Sequence, residues 1–460
     1  MIDAVIILAA GQGTRMRSKR PKVLHHLAGQ PLLYHVIQAA RALDPQRMVV
    51  VVGHGADQVQ STFAGQPQIE WAIQDRQLGT GHAVQCALPA LEGVDGDVLI
   101  LNGDVPLIQS SALQTFLDAH RTDRRLVSVL STTIDPPTGY GRIVRNEAGE
   151  FLRIVEEKDA DNSTRVLTEI NSGTYAVQLN FLRHALSTLS NNNAQGEYYL
   201  TDIISSALNQ HPSPHPTGCY LHPDFFSLSG VNNRRHLAAL ERAFRDRLVE
   251  RLMDEGVTFI DPESCWLDAD VNIGPDTVIH PNVILGPEVT IGANCTVGAF
   301  CHISRSRIGD ECEILPFCHL DGATLEGGNP VGPYARLRPL AELAPNAKVG
   351  NFCEVKKARI GHGSKVNHLT YIGDATIGRG VNVGAGTITC NYDGANKHQT
   401  IIGDGAFIGS DVQMVAPVNV GAGAVIGAGT TVTKNVPDDA LALSRPKQVH
   451  IPNWRKRSTK

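Results

Sequence analysis

The sequence predicts an α/β domain on a mostly parallel sheet, joined by one long helix to a parallel β-helix. Three patterns predict this. Short β-branched runs alternate with helical periodicity to about residue 229, an amphipathic stretch follows, and beyond residue 256 an aliphatic-glycine pair recurs at hexapeptide spacing. The expected boundaries are 1–229 for the first domain, 230–256 for the linker and 257–460 for the β-helix with its C-terminal tail. At about 150 residues per domain, a chain of 460 permits either two large units or three.

The first domain is read from the runs Ala4 to Leu8, Met48 to Val52, Asp97 to Leu101 and Leu126 to Leu130. Strands separated by helix-length segments need right-handed crossovers, which bury both faces of the sheet and explain runs that are apolar throughout. Ligands in such sheets bind at the carboxyl ends of the strands, so the loops after these runs hold the candidate site.

The linker is read from Leu237, Leu240, Phe244, Leu248 and Leu252, spaced by three and four between Asn233 and Glu255, with Gly256 as the stop. Such a helix is roughly 35 Å long at 1.5 Å per residue.

The β-helix is read from fourteen aliphatic-glycine pairs between Ile273-Gly274 and Ile426-Gly427, mostly 6 or 12 residues apart. Each six-residue unit is expected to lay one short strand on a prism face, aliphatic side chain inward, with glycine turning the corner. Glycine usage follows the architecture, with 19 in residues 1–256 and 25 in the shorter remainder.

Composition excludes several classes. A net charge of -5 with 42% hydrophobic residues is no polyelectrolyte, and it leaves no basic footprint for nucleic acid. The basic tail Arg455, Lys456, Arg457 and Lys460 reads as a solvated end. Nine cysteines without a CxxC pair favour neither a disulfide framework nor a zinc site, which points to the reducing cytoplasm. The apolar run Ala4 to Ala10 lacks a preceding basic region and is too short to span a bilayer, so neither secretion nor membrane insertion is expected.

The first chemical constellation follows the first strand: Ala9, Ala10, Gly11, Gln12, Gly13, Thr14, Arg15, Met16, then Lys19, Arg20, Pro21 and Lys22. Glycines after a strand let backbone N–H groups approach phosphate, and the Arg and Lys cluster supplies compensating charge. Met16 replaces the third glycine of the dinucleotide fingerprint and no GxxxxGK[ST] exists, so the loop belongs to neither of those classes. Asp104, just past the strand Asp97 to Leu101, suits a hard metal or a plain turn; Asn232 suits a metal or a helix N-cap.

The run Leu8 to Met16 with Pro21-Lys22 resembles the signature of the sugar-phosphate nucleotidylyltransferases. Further matches follow in order: Gln74 with Gln77 to His82, Gly103 to Leu107, Gly139 to Arg142, Glu156, Asn171, Gln195 to Asp202 and Gly230 to Asn233. With the repeats and the linker, the resemblance covers essentially the whole chain. It is to the bacterial bifunctional N-acetylglucosamine-1-phosphate uridylyltransferase/glucosamine-1-phosphate N-acetyltransferases.

That resemblance implies a Rossmann-like domain of nucleotidyltransferase type and a left-handed β-helix. It implies acetyl transfer from acetyl-CoA to glucosamine 1-phosphate, then uridylyl transfer from UTP to the product with release of pyrophosphate, supplying precursor for peptidoglycan and lipopolysaccharide. It assigns Arg15 and Lys22 to catalysis at the phosphates, and Asp104 and Asn232 to Mg2+. Leu8, Ala9, Ala10, Gly11, Lys22, Asn102, Gly103, Asp104 and Asn232 belong by resemblance to the nucleotide site, with Gln74, Gly79 and Thr80 at the uracil end. Gly141, Glu156, Asn171, Tyr199 and Thr201 fall to the N-acetylglucosamine portion.

A β-helix can be purely structural, so evidence of chemistry must come from departures from its repeat. The polar segment Thr387 to Thr400 cannot be a regular coil, and further irregular stretches hold Pro333 to Pro339, Lys356-Lys357 and His368 to Tyr371. Amine acetylation needs a base, cations for a phosphorylated acceptor and donors for the tetrahedral oxyanion. An imidazole titrates near neutrality, which suits His368.

By resemblance His368 is that base. Arg338, Lys356, Tyr371 and Asn382 hold glucosamine 1-phosphate, Asn391 and Tyr392 sit at the reacting end, and Ser410, Ala428 and Arg445 meet acetyl-CoA. Cys390 has no activating partner in the sequence and reads as structural. The resemblance further implies a homotrimer with acetyl sites between neighbouring prisms. A monofunctional nucleotidylyltransferase whose β-helix serves only to trimerise stays open at this point.

Overall fold

The computed structural model describes residues 2–210 and 216–457; Lys460 of the basic tail lies outside them. The chain divides into two compact units, Met1–Phe244 and Arg245–Lys460.

The first unit alternates strands and helices in chain order: β1 (Ala4–Leu8), α1 (Leu32–Arg41), β2 (Arg47–Val52), α2 (Ala56–Thr62), β3 (Glu70–Ile73), α3 (Thr80–Ala87), β4 (Asp97–Asn102), α4 (Ser110–Thr122) and β5 (Val127–Thr133). Then come β6 (Arg142–Arg145), β7 (Phe151–Val155), β8 (Glu169–Gln178), α5 (Leu179–Ser187), α6 (Ile203–Gln210) and β9 (Thr217–Leu221). The main sheet runs β9-β5-β8-β4-β1-β2-β3, with β6 paired to β8 and β7. All neighbours along the main path are parallel except β8, which is antiparallel to both β4 and β5.

The wholly apolar strands are explained by two cores, one on each face. Ala4 and Ile6 of β1 join Val49, Val51, Val98 and Ile100 in one core; Val5 and Ile7 join Val50, Val52, Leu99 and Leu101 in the other. Helices α3, α5 and α6 cover the first face, while α1, α2 and α4 cover the second. Strand order reverses between β1 and β4, which opens a crevice at their carboxyl ends.

The long helix expected after residue 229 is α7 (Arg234–Asp254). Asn233 caps it, Oδ1 accepting from the backbone N–H of Arg235 and His236 at 2.9 Å each. Both carboxylate oxygens of Glu241 accept from Ala28 N–H in the first unit. Farther along, the Arg245 guanidinium lies 5.3 Å above the Trp266 ring in the second. No described helix is long and apolar enough to cross a membrane.

The second unit is a left-handed parallel β-helix of two- to seven-residue strands. Val278 pairs with Thr296 and Thr296 with Glu313, steps of about one 18-residue coil. The inward aliphatics, among them Leu285, Val297, Ile314 and Val349, are fully buried.

The repeat's glycines have a different reason from the one their spacing suggests. Corners fall three residues before the aliphatic, at L-residues with positive φ such as Asp276 (59°), Asn282 (60°) and Asn294 (54°). The pair's glycine instead lies where the next coil passes too close for a side chain. A Cβ on Gly384 would stand 2.6 Å from Ser410 N, and one on Gly409 2.5 Å from Ala428 N.

One step breaks the period: Asn382 pairs with Phe407, a whole hairpin later than the repeat allows. That surplus is the polar segment of the sequence, thrown out of the prism between the strands Ile388–Cys390 and Thr400–Ile402. All nine cysteines are free thiols.

Candidate active sites

At the carboxyl ends of β1 and β4 lies a cavity of about 430 Å³. Ala9 N donates to Val51 O (2.8 Å) and Gly103 N to Leu8 O (2.9 Å), tying the three strand ends together. The chain then turns through Gly11 and Gly13 into a short 3-10 turn, Thr14–Met16, anchored by the buried Met16. Gly13 has φ 62°, and a Cβ there would lie 2.6 Å from Lys22 Cβ, so the loop closes directly on the lysine.

The charged groups of this wall are paired crosswise. Lys22 Nζ makes an ion pair with the Asp104 carboxylate. Arg15 Nη2 donates to Asn232 Oδ1 at 2.9 Å. Val231 N donates to Asp104 O (2.9 Å), which keeps the Asn232 segment beside the aspartate. Two hard oxygen donors therefore stand together among two cations, a set whose chemistry fits a hard divalent cation.

The opposite walls are neutral or acidic. Gln74 is buried, its Nε2 donating to Gly79 O (3.0 Å), while Gln77 Nε2 donates to Ala10 O (3.1 Å). Thr80 Oγ1 accepts from Leu200 N (3.1 Å). Asn171 Nδ2 donates to Tyr175 Oη (2.8 Å) and its Oδ1 accepts from Gly173 N (2.8 Å). Burial raises the Glu156 carboxyl above its usual range, aided by the charges of Asp159, Asp202 and Glu197. A group held so is suited to hydrogen-bonding sugar hydroxyls rather than to binding a cation.

In the second unit the departures from the repeat converge. His368 Nδ1 lies 2.6 Å from Asn351 Oδ1, one coil below in register. Arg338 Nη1 donates to Glu354 Oε1 (2.8 Å), and Glu354 is the ladder neighbour of Tyr371. Lys356 pairs in register with Gly373. Contact with Lys397 of the ejected segment, with Arg338 adding its charge, pulls the Lys356 amine below its ordinary value. Cations crowded in this way make a receptor for phosphate.

The ejected segment is a hairpin closed by the antiparallel bridge Tyr392 to Lys397. Asp393 accepts from Ala395 N, Asn396 N and His398 Nε2, and these bonds hold its carboxyl far below the usual range. The buried Asn391 roots the hairpin, Nδ2 donating to Asp374 Oδ2 (2.6 Å), with Lys357 Nζ 3.2 Å from the other carboxylate oxygen. A Cβ on Gly373 would meet both the Tyr371 ring (2.6 Å) and Asn391 Nδ2 (2.9 Å), so these two groups share one spot.

Farther up, Gly429 N donates to Ser410 O (2.9 Å) and Arg445 packs over Gly429. Ser410 and Ala428 are exposed small residues along this edge. Burial raises the Cys390 thiol, which leaves it a poor nucleophile.

Residues 5–172 match the family model of the MobA-like NTP transferase domain. Residues 270–305 match that of the bacterial transferase hexapeptide (six repeats), and 399–434 that of the hexapeptide repeat of succinyl-transferase. Over its length the chain is similar to proteins named Bifunctional protein GlmU. It is 48% identical over 455 residues to that of Trichlorobacter lovleyi, 48% over 450 to that of Marinobacter nauticus and 52% over 457 to that of Alcanivorax borkumensis, with 98% of each chain covered. The chain belongs to the GlmU family.

Within this GlmU chain the cavity wall includes Leu8, Ala9, Ala10, Gly11, Arg15, Lys22, Gln74, Gly79, Thr80, Asn102, Asp104, Gly141, Glu156, Asn171, Thr201 and Asn232. Gly103 and Tyr199 are not on it. Gly103 sits behind, against Leu33 and Ala9, and Tyr199 turns its hydroxyl to Gln195 (2.9 Å) and Asp159 (3.2 Å). The wall adds Tyr140 and Glu197, which lie inside the matched motifs but were given no role from sequence, and Tyr175, which no motif contained. Tyr140 was signalled by its place between Gly139 and Gly141; the buried Arg142, paired with Glu157 at 2.7 Å, donates to Tyr140 O and fixes that turn.

Of the expected acetyl-side residues, Arg338, Lys356, His368, Tyr371, Asn391 and Tyr392 stand on the coils and hairpin just described. Asn382 lies on the same sheet as His368, in register with Lys365 and Phe407.

Proposed function

We propose that this GlmU protein acetylates glucosamine 1-phosphate with acetyl-CoA in its β-helix unit and then, in its α/β unit, joins the product to UTP, giving UDP-N-acetylglucosamine and pyrophosphate. The observation that carries the reading is that each unit gathers reactive side chains where its regular pattern is interrupted. Lys22, Arg15, Asp104 and Asn232 meet at the strand ends, and Lys356, Lys397, Asn391 and Tyr371 meet at the base of the ejected hairpin.

In uridylyl transfer the sugar phosphate oxygen attacks the α-phosphorus of UTP and pyrophosphate leaves. Arg15, Lys22 and the amides of Ala10 and Gly11 take the charge that builds on the phosphates. Asp104 and Asn232 would hold Mg2+, which would supply further charge neutralisation at the phosphates. Gln74, Gly79 and Thr80 face the uracil, while Gly141, Glu156, Asn171 and Thr201 face the amino sugar. Tyr199 supports that wall from behind through Asp159.

In acetyl transfer Arg338 and Lys356 grip the acceptor phosphate, with Tyr371 and Asn382 at the sugar. His368 takes a proton from the attacking amine, and Asn391 and Tyr392 border the reacting carbonyl. Acetyl-CoA follows the edge of Ser410, Ala428 and Arg445. Both co-substrates are cytoplasmic metabolites. Wild-type protein given acetyl-CoA and glucosamine 1-phosphate alone should release free thiol, and given UTP, Mg2+ and N-acetylglucosamine 1-phosphate alone should release pyrophosphate. Failure of either half-reaction sinks the corresponding half of the proposal.

The same protein should be a homotrimer. One corner column of the prism carries Phe300, Phe317, Tyr334 and Phe352, stacked with centroids 4.9–5.2 Å apart and 46–55% exposed. Bulky residues at φ 56–62° in water work against both backbone preference and the hydrophobic effect. The column runs past Asn351 and His368, so a neighbouring chain covering it would also border the acetyl site. Light scattering should report three chains for wild type and fewer for Phe317→Ser/Tyr334→Ser; an unchanged mass would detach the column from assembly.

A further inference from the structure

We propose that Asn351 is the positioning residue of His368, its Oδ1 accepting the hydrogen of Nδ1 so that Nε2 is left with its lone pair toward the acceptor amine. This rests on the reading of His368 as the base of acetyl transfer. The contact is short, 2.6 Å, and directly between the two side chains. It is built into the ladder: Asn351 and His368 are register partners of the parallel strands Lys348–Asn351 and Lys365–His368, and Leu369 N donates to Asn351 O (3.1 Å). The asparagine therefore stands beneath the imidazole by construction of the coil, whatever occupies the site.

The residue type matters as much as the place. A neutral imidazole has one N–H and one lone pair, and the partner of one nitrogen decides the role of the other. An amide oxygen can only accept, which puts the hydrogen on Nδ1. A carboxylate would do the same while adding a negative charge that stabilises imidazolium, leaving more of the base already protonated. An amide orients the ring without that charge. The charged groups on the two strands, Lys348 and Lys365, stand at the ends opposite the ring, and the strand on the far side, Asn382–Val383, carries none. Thr370 Oγ1 and Gly386 N both donate to His368 O, fixing the backbone but not the ring, so the tautomer falls to Asn351.

The test uses the full-length protein and follows acetyl transfer by free thiol release, with uridylyl transfer as the folding control. Asn351→Leu, which keeps the shape and removes the oxygen, should lower acetyl-transfer kcat about 10- to 100-fold with KM for glucosamine 1-phosphate within about twofold, as expected for a lost general-base orientation. Asn351→Asp should retain activity at high pH but move the acid limb of kcat/KM upward by about one pH unit. Wild-type kcat in Asn351→Leu, or an unmoved acid limb in Asn351→Asp, would overturn the inference. His368→Ala is run alongside. If it still acetylates normally, the base assignment itself fails; if it is inactive while both Asn351 variants behave as wild type, only the role of Asn351 fails.

Discussion

Asp104→Ala should lower uridylyl transfer by at least about a thousandfold and leave acetyl transfer at the wild-type rate. The carboxylate ends the segment that leaves β4 and is 16% exposed at the cavity wall, where its ion pair with Lys22 sets the position of a cation meant for phosphate. Removing it takes away one of two hard oxygen donors and also releases the lysine. Each loss acts on charge that develops only as the phosphoryl group is transferred, so kcat should fall more than KM rises. Asp104→Asn keeps the shape and should be nearly as damaged, because the amide cannot neutralise a divalent ion. Arg15 and Asn232 remain bonded to each other in either variant, and Val231 N still has its backbone acceptor at residue 104, so the wall should keep its form. Pyrophosphate release within tenfold of wild type by Asp104→Ala would remove Asp104 from the reaction.

The strands and the repeat were legible because each is a local periodicity. Val5 and Ile7 face one core and Ala4 and Ile6 the other, so an apolar run after which the chain turns at glycine could mean only a covered strand. Phosphate chemistry was legible from Gly11 to Lys22 for the same reason, since the residues lie close in sequence. What sequence could not give were partners made by coil stacking. Asn351 stands under His368 because one turn of the prism is about 18 residues, a relation visible only once the coil length at that point is known. The glycines misled in the same way. Their spacing was clear, but their cause, the approach of Ser410 N to Gly384 and of Ala428 N to Gly409, comes from the next coil. Tyr199 shows the limit on the other domain, a residue in the right segment whose hydroxyl turns to Asp159 instead of the cavity.

His368→Ala should reduce acetyl transfer by about 10²- to 10⁴-fold, with uridylyl transfer unchanged when N-acetylglucosamine 1-phosphate is supplied. The imidazole is exposed, held by Asn351 on one side and carried on a strand whose backbone is fixed by Thr370 and Gly386. Removing an exposed ring leaves no buried polar group unpaired except the Asn351 amide, which water can reach, so the fold should persist. The cations proposed to grip phosphate, Arg338 with its Glu354 partner and Lys356 beside Lys397, lie on other strands and should keep KM for glucosamine 1-phosphate near wild type. The acid limb should change, because proton uptake by the base silences wild type as pH falls, whereas the residual rate follows only the deprotonation of the acceptor amine. A sugar amine free of its proton can still attack the thioester unaided, so the variant should gain on wild type as pH rises. A wild-type rate, or an unchanged acid limb, would move the base elsewhere in the cluster and with it the role given to the hairpin.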